Sequence, residues 1–152
     1  MKTGFTLTVL LASGLGLGAV WAHSGATGIV KERMDAMTEI GDSVKSVGQM
    51  LKGEAPFNRE RIAAAGQAIA GHAGQALTDL FPEGSLHAPS EASPEIWADW
   101  AEFSRIAGTL KESAVALSDL AEAGAGEKDI AAAFGNVAGT CKACHEAFRI
   151  KK

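Results

Sequence analysis

Apolar residues recur at three- and four-residue spacing through four separate stretches of the chain, the period of a helix that buries one face. The first stretch, 27–52, puts Val30, Met34, Met37, Gly41, Val44, Val47 or Gly48, and Leu51 on one stripe and stops at Gly53-Glu54-Ala55-Pro56. The second opens behind Asn58, a residue type that caps helix N-termini. It runs to Leu80 through Ile62, Ala65, Ile69, Ala73, Ala76 and Leu77. Alanine dominates that stripe and weakens it. Residues 81–93 combine turn formers with no period and read as a crossing loop. The third helix begins sharply at Ser93-Pro94-Glu95, with a capping serine, a proline at the first helical position and an acid in the first turn. Its stripe is the cleanest: Ile96, Trp100, Phe103, Ala107, Leu110, Ala114, Leu117 and Ala121, closed by Gly124-Ala125-Gly126. The fourth, 127–150, aligns Ile130, Phe134, Val137, Cys141, Cys144 and Phe148. There is no strand pattern. Short links and one longer crossing predict an all-α, antiparallel up-down-up-down four-helix bundle.

Ahead of these helices, Lys2 precedes an apolar run from Phe5 to Val20, and Val20-Trp21-Ala22 offers small or aliphatic residues for cleavage. That is the pattern of a secretory signal peptide over residues 1–22, leaving 23–152 as a single domain. A membrane anchor is the rival, because the run approaches the length of a short spanning helix. Its glycines and the cleavage pattern favour removal, so no stable membrane insertion is expected. Losing Lys2 takes the formal charge from −4 to −5. An acidic chain is unsuited to nucleic acid, which needs a basic patch, and suits partners that present positive surfaces. Arg149, Lys151 and Lys152 gather at the end of the last helix, where they complement its dipole.

The chemistry lies in Cys141-Lys142-Ala143-Cys144-His145. Cys-x-x-Cys-His is the attachment pattern of a c-type haem. Two thiols must each add across a vinyl group on one edge of a porphyrin, and the adjacent imidazole must reach the iron. Positions i, i+3 and i+4 of a helix share a face, so the three side chains can address one flat cofactor. A structural zinc site would need four ligands, and the chain has only these two cysteines. A redox Cys-x-x-Cys would expect a βαβ context that is absent. The cysteines fall on the core-facing stripe of the last helix, which puts the haem inside the bundle. A core this modest should be much less stable without it. Export and haem c together point to the periplasm of a Gram-negative bacterium, and no thiol is left over for a disulfide.

His145 is then the proximal iron ligand, and the sixth position decides the function. Candidates are Met34, Met37, Met50, His23, His72, His87, or none. In an antiparallel bundle the start of the first helix lies beside the end of the last. That favours Met34 and Met37 over Met50 and leaves His72, late in the second helix, as a rival. His23 and His87 read as solvated.

Cys141-Lys-Ala-Cys-His-Glu-Ala-Phe-Arg149 on a four-helix bundle resembles the class II c-type cytochromes, the cytochrome c′ family, from about Val30 to Arg149. Gly53-Glu-Ala-Pro-Phe57, Leu80-Phe-Pro82 and Ser93-Pro-Glu-Ile-Trp97 look like the low-spin members, the cytochrome c-556 type. In the high-spin members the first helix carries Arg-x-x-x-Leu, and the leucine leaves the distal face open. Here the segment is Arg33-Met-Asp-Ala-Met37. The resemblance implies that Met37 is the distal ligand, with Met34 in a packing role. It also implies that Arg33 lies near the haem propionates and Arg149 beside the proximal histidine. Trp97, Trp100, Phe103, Phe134 and Phe148 are core first and haem lining second.

The expectation is a one-electron carrier with low-spin His/Met iron, serving redox partner proteins as a monomer or homodimer. The alternative is a high-spin protein with an open distal site that binds NO or CO. Enzymatic activity has no support, because no second catalytic group accompanies the iron motif.

Overall fold

The computed structural model describes residues 25–150. The expected signal peptide, His23, Lys151 and Lys152 lie outside the described residues. The helices are α1 (Gly28–Leu51), α2 (Arg59–Gly71), α3 (Gln75–Thr78), α4 (Glu95–Ala98), α5 (Trp100–Glu122) and α6 (Glu127–Phe148). α1, α2, α5 and α6 form the four-helix bundle, with each long helix packed on the next. Asn58 caps α2 as expected, its side chain accepting the Arg61 N–H at 2.7 Å.

Two of the expected helices are broken. The second ends at Gly71, and the chain turns at Gly74, whose φ of +65° suits glycine, before α3 begins. The Gly74 N–H reaches across to the Ala107 carbonyl at 2.9 Å, tying this turn to α5. The third breaks at Asp99, whose non-helical backbone (φ −130°, ψ 59°) interrupts the helix while its side chain caps α5 by accepting the Glu102 N–H. The stripe from Ile96 to Trp100 therefore does not carry through. Ile96 is buried, but Trp100 is 41% exposed and tilts against Phe103 instead of entering the core.

α2 lies hard against α5, and its alanine-rich stripe is the reason. Ile62, Ala65, Gly66 and Ile69 are buried there. A Cβ at Gly66 would sit 2.8 Å from the Ala114 carbonyl oxygen and 2.9 Å from the Ser118 nitrogen. Gly66→Val should therefore cost about 1–3 kcal/mol through overpacking. Gly71→Ala meets no atom within 4 Å and should be neutral or stabilising. Urea unfolding of both holoproteins checks this; equal midpoints would contradict the close approach.

α1 and α6 meet at far fewer points than the other neighbours. The deepest residues of α1 are Val30, Arg33, Ala36, Ile40, Val47 and Met50. The expected stripe of Met34, Met37, Val44 and Leu51 is only half-buried. The true buried face is thus rotated from the one the apolar spacing marks, and an apolar edge remains beside α6.

Candidate haem site

Two apolar clusters meet where the motif lies. One joins the four long helices and has Cys141, Phe134, Val44 and Met37 packed at its margin. The other gathers Leu77, Phe81, Ile96, Phe103, Ile106, Ala107 and Phe148, with Cys144 and again Met37 at its margin. Phe103 meets Phe81 and Phe148 edge-on, at 5.0 and 5.4 Å between ring centres. Met37 is the residue of α1 that touches both clusters, each beside one of the cysteines.

The register across the gap follows from one contact. A Cβ built on Gly48 of α1 would lie 3.9 Å from the Phe134 ring of α6. Eleven residues of helix make about three turns and return to nearly the same face. Counting back from Gly48 gives Met37, and counting on from Phe134 gives His145. Antiparallel helices of equal rise therefore bring Met37 level with His145. The same count sets Met34 against Phe148, and Met50 is turned away and 2% exposed in the core.

The remaining candidates have other engagements. His72 pairs through Nε2 with Glu39 of α1 at 2.6 Å. His87 is exposed on the crossing loop. Arg33 is 4% exposed rather than solvated; its guanidinium donates to the Ser85 hydroxyl and carbonyl oxygens at 2.9 and 2.6 Å and lies 4.7 Å over the Phe81 ring. Arg149 is exposed and pairs with Glu91 of the crossing loop. Ser85, Glu91 and Glu39 carry no signal in the sequence, because an aperiodic loop gives no register and a lone surface carboxylate gives no partner.

Burial pushes the Cys141 thiol pKa up, and burial together with the Cys141 charge pushes Cys144 to about 11. Both are neutral at physiological pH. His145 is more open, yet partial desolvation and then the Arg149 charge depress its pKa, which favours the neutral imidazole that a metal requires.

Whether a haem fits can be judged from what lacks a partner. The Arg33 Nε is buried without a hydrogen bond, and no acidic side chain pairs with this guanidinium among the described residues. A buried cation in that condition wants an anion such as a propionate. Met37, Val44, Phe134, Cys141 and Cys144 form a half-exposed apolar set along the α1–α6 gap, which a flat apolar macrocycle would cover. These features fit haem c. A separate open groove of about 390 Å³ between α5 and α6 touches neither cysteine nor Met37, and its Arg105 is held by Glu102.

A family model described as cytochrome c′ matches residues 28–149. This chain belongs to the cytochrome c′ family. Its relatives include cytochrome c-556 of Agrobacterium fabrum, 34% identical over 152 residues, covering 100% of this chain and 99% of that one. Among solved structures, cytochrome c′ from Rhodopseudomonas palustris superposes with a TM-score of 0.76 at 33% identity, covering 84% of this chain and 99% of the other. The nitric oxide complex of a leucine-to-alanine variant of cytochrome c′ from Alcaligenes xylosoxidans gives a TM-score of 0.72 at 33% identity, covering 82% and 94%. The cytochrome c′ fold, its four-helix bundle and its covalent haem c are thereby those of this chain, a monohaem protein of the electron-transfer class.

Proposed function

We propose that this cytochrome c′ family member is a periplasmic one-electron carrier. Cys141 and Cys144 hold one haem c, His145 is the proximal iron ligand and Met37 the distal one. When bound, the haem iron supplies reversible exchange of a single electron. The chain's own residues set the terms of that exchange. The neutral His145 imidazole offers its lone pair, and the Met37 thioether, a soft donor, favours the ferrous state relative to a second histidine. Arg33 offers its unpaired Nε to a carboxylate, and the half-buried apolar edge of α1 excludes water. Held by both His145 and Met37, the iron would offer no open position for substrate turnover or gas capture. The observation that carries this reading is the register of the α1–α6 gap, which brings Met37 level with His145.

Periplasmic residence and redox-protein partners with basic surfaces belong to the same proposal. So does self-association as a homodimer through α1 and α2, which the resemblance implies beside a monomer. No described helix is long and apolar enough to cross a membrane.

The second reading is a high-spin protein with an open distal site that binds NO or CO. The structural comparisons favour it: the solved neighbours are cytochromes c′, and two of them are nitric oxide complexes. Met37 would then be a packing residue at the junction of the two clusters. Carbon monoxide titration of the reduced protein separates the readings. On the carrier reading the natural protein resists CO, and Met37→Leu, which conserves volume, binds it at least about tenfold more tightly, the yield of releasing about 1.4 kcal/mol of competition. Equal CO binding by both proteins would establish the open site.

A further inference from the structure

We propose that Glu91 is a positioning residue for the haem-bearing end of α6, fixing Arg149 and balancing its charge one helical turn from His145. The crossing loop lies antiparallel against this end of the helix. The Ser93 N–H donates to the Phe148 carbonyl and the Ile150 N–H to the Glu91 carbonyl, each at 2.8 Å, with Ala92 bridged to Arg149. Beyond this backbone clasp, Arg149 Nε donates to Glu91 Oε2 at 2.8 Å, and Nη2 donates to the same oxygen. The Arg149 N–H donates in turn to the His145 carbonyl at 3.3 Å. The guanidinium therefore springs from the turn that carries the iron ligand.

The clasp would hold the helix end without any charge. What the ion pair adds is a fixed place for the guanidinium and a counter-charge beside it. Lys142 and Glu146, 3.8 Å apart on the same helix, form one charge pair, and Glu91–Arg149 sets a second beside it. The same loop is tied to α1 through Ser85 and Arg33, so one segment holds both helices that flank the gap. Reducing the iron removes one positive charge from the site. An unbalanced carboxylate there favours the ferric state, and an unbalanced guanidinium favours the ferrous state.

This inference rests on His145 as the iron ligand and is independent of Met37. The test is a spectroelectrochemical titration of the holoproteins Glu91→Gln, Arg149→Gln and the double variant. At the natural protein's midpoint potential, Glu91→Gln should raise the ferrous-to-ferric ratio about threefold and Arg149→Gln should lower it about threefold. The double variant should return close to the natural ratio. Glu91→Asp, which keeps the charge, should move less than Glu91→Gln in the same direction. Shifts of the two single variants in one direction, or no shift in either, would overturn the proposal and leave Glu91 with a structural role only. His145→Ala keeps the two levels of argument apart. An unaltered spectrum in that variant would remove the iron-ligand assignment beneath both readings. A lost spectrum with unshifted Glu91 and Arg149 potentials would remove this inference alone.

Discussion

Replacing Cys141 and Cys144 together with serine is expected to make the haem extractable by acidified organic solvent and to lower the unfolding midpoint by more than ~10 °C. The two thiols are the only cysteines of the chain, and they lie half-buried at the margins of the two clusters. Losing the covalent tie lets the macrocycle leave, exposing the apolar edge formed by Met37, Val44 and Phe134. At about 25 cal/mol per Å² of apolar surface, re-exposing even ~120 Å² costs about 3 kcal/mol. A domain of this size loses a few degrees per kcal/mol. The comparison uses acid–acetone extraction and thermal unfolding of the natural and double-serine proteins. Haem that stays with the chain after extraction, or an unchanged midpoint, would contradict the attachment assignment.

Arg33→Leu is expected to destabilise the holoprotein by about 2–4 kcal/mol, although it replaces a buried charge with an apolar side chain. The reason is what remains behind. Ser85 is 8% exposed and loses the donors to both of its oxygens, and Phe81 loses the cation above its ring. Arg33→Lys should recover little, because an ammonium cannot donate to two oxygens while stacking flat on an aromatic face. Ser85→Ala removes only one neutral acceptor and should cost about 1 kcal/mol. Denaturant unfolding of the three variants gives this order, and an Arg33→Leu protein as stable as the natural one would show that the guanidinium contributes nothing net.

The motif and the four helices were legible because each rests on local information. Cys141, Cys144 and His145 announce themselves by spacing, and the long apolar stripes announce a bundle by period. The breaks at Gly71–Gly74 and Asp99 were not legible, because alanine and isoleucine keep the helical period through them. A single capping aspartate and a left-handed glycine, tied to α5 by one hydrogen bond, overrode that period. Trp100 was misplaced for the same reason. The face of α1 was read slightly rotated, since Met34, Met37 and Val44 are as apolar as Ile40 and Val47. Apolar character does not distinguish residues that pack on protein from residues left beside a gap that a cofactor would fill. The resemblance put Arg33 near the haem propionates, but nothing in the loop foretold its partner Ser85, fifty-two positions away. Glu91 was invisible for the same reason.

The most direct test of the central claim is the ferric spectrum of the natural holoprotein, by low-temperature EPR and optical absorption into the far red. Ligation by His145 and Met37 predicts a low-spin signal with the weak methionine–iron band near the red edge of the spectrum. A high-spin signal with no such band would contradict it and place this chain among the open-site members of its family.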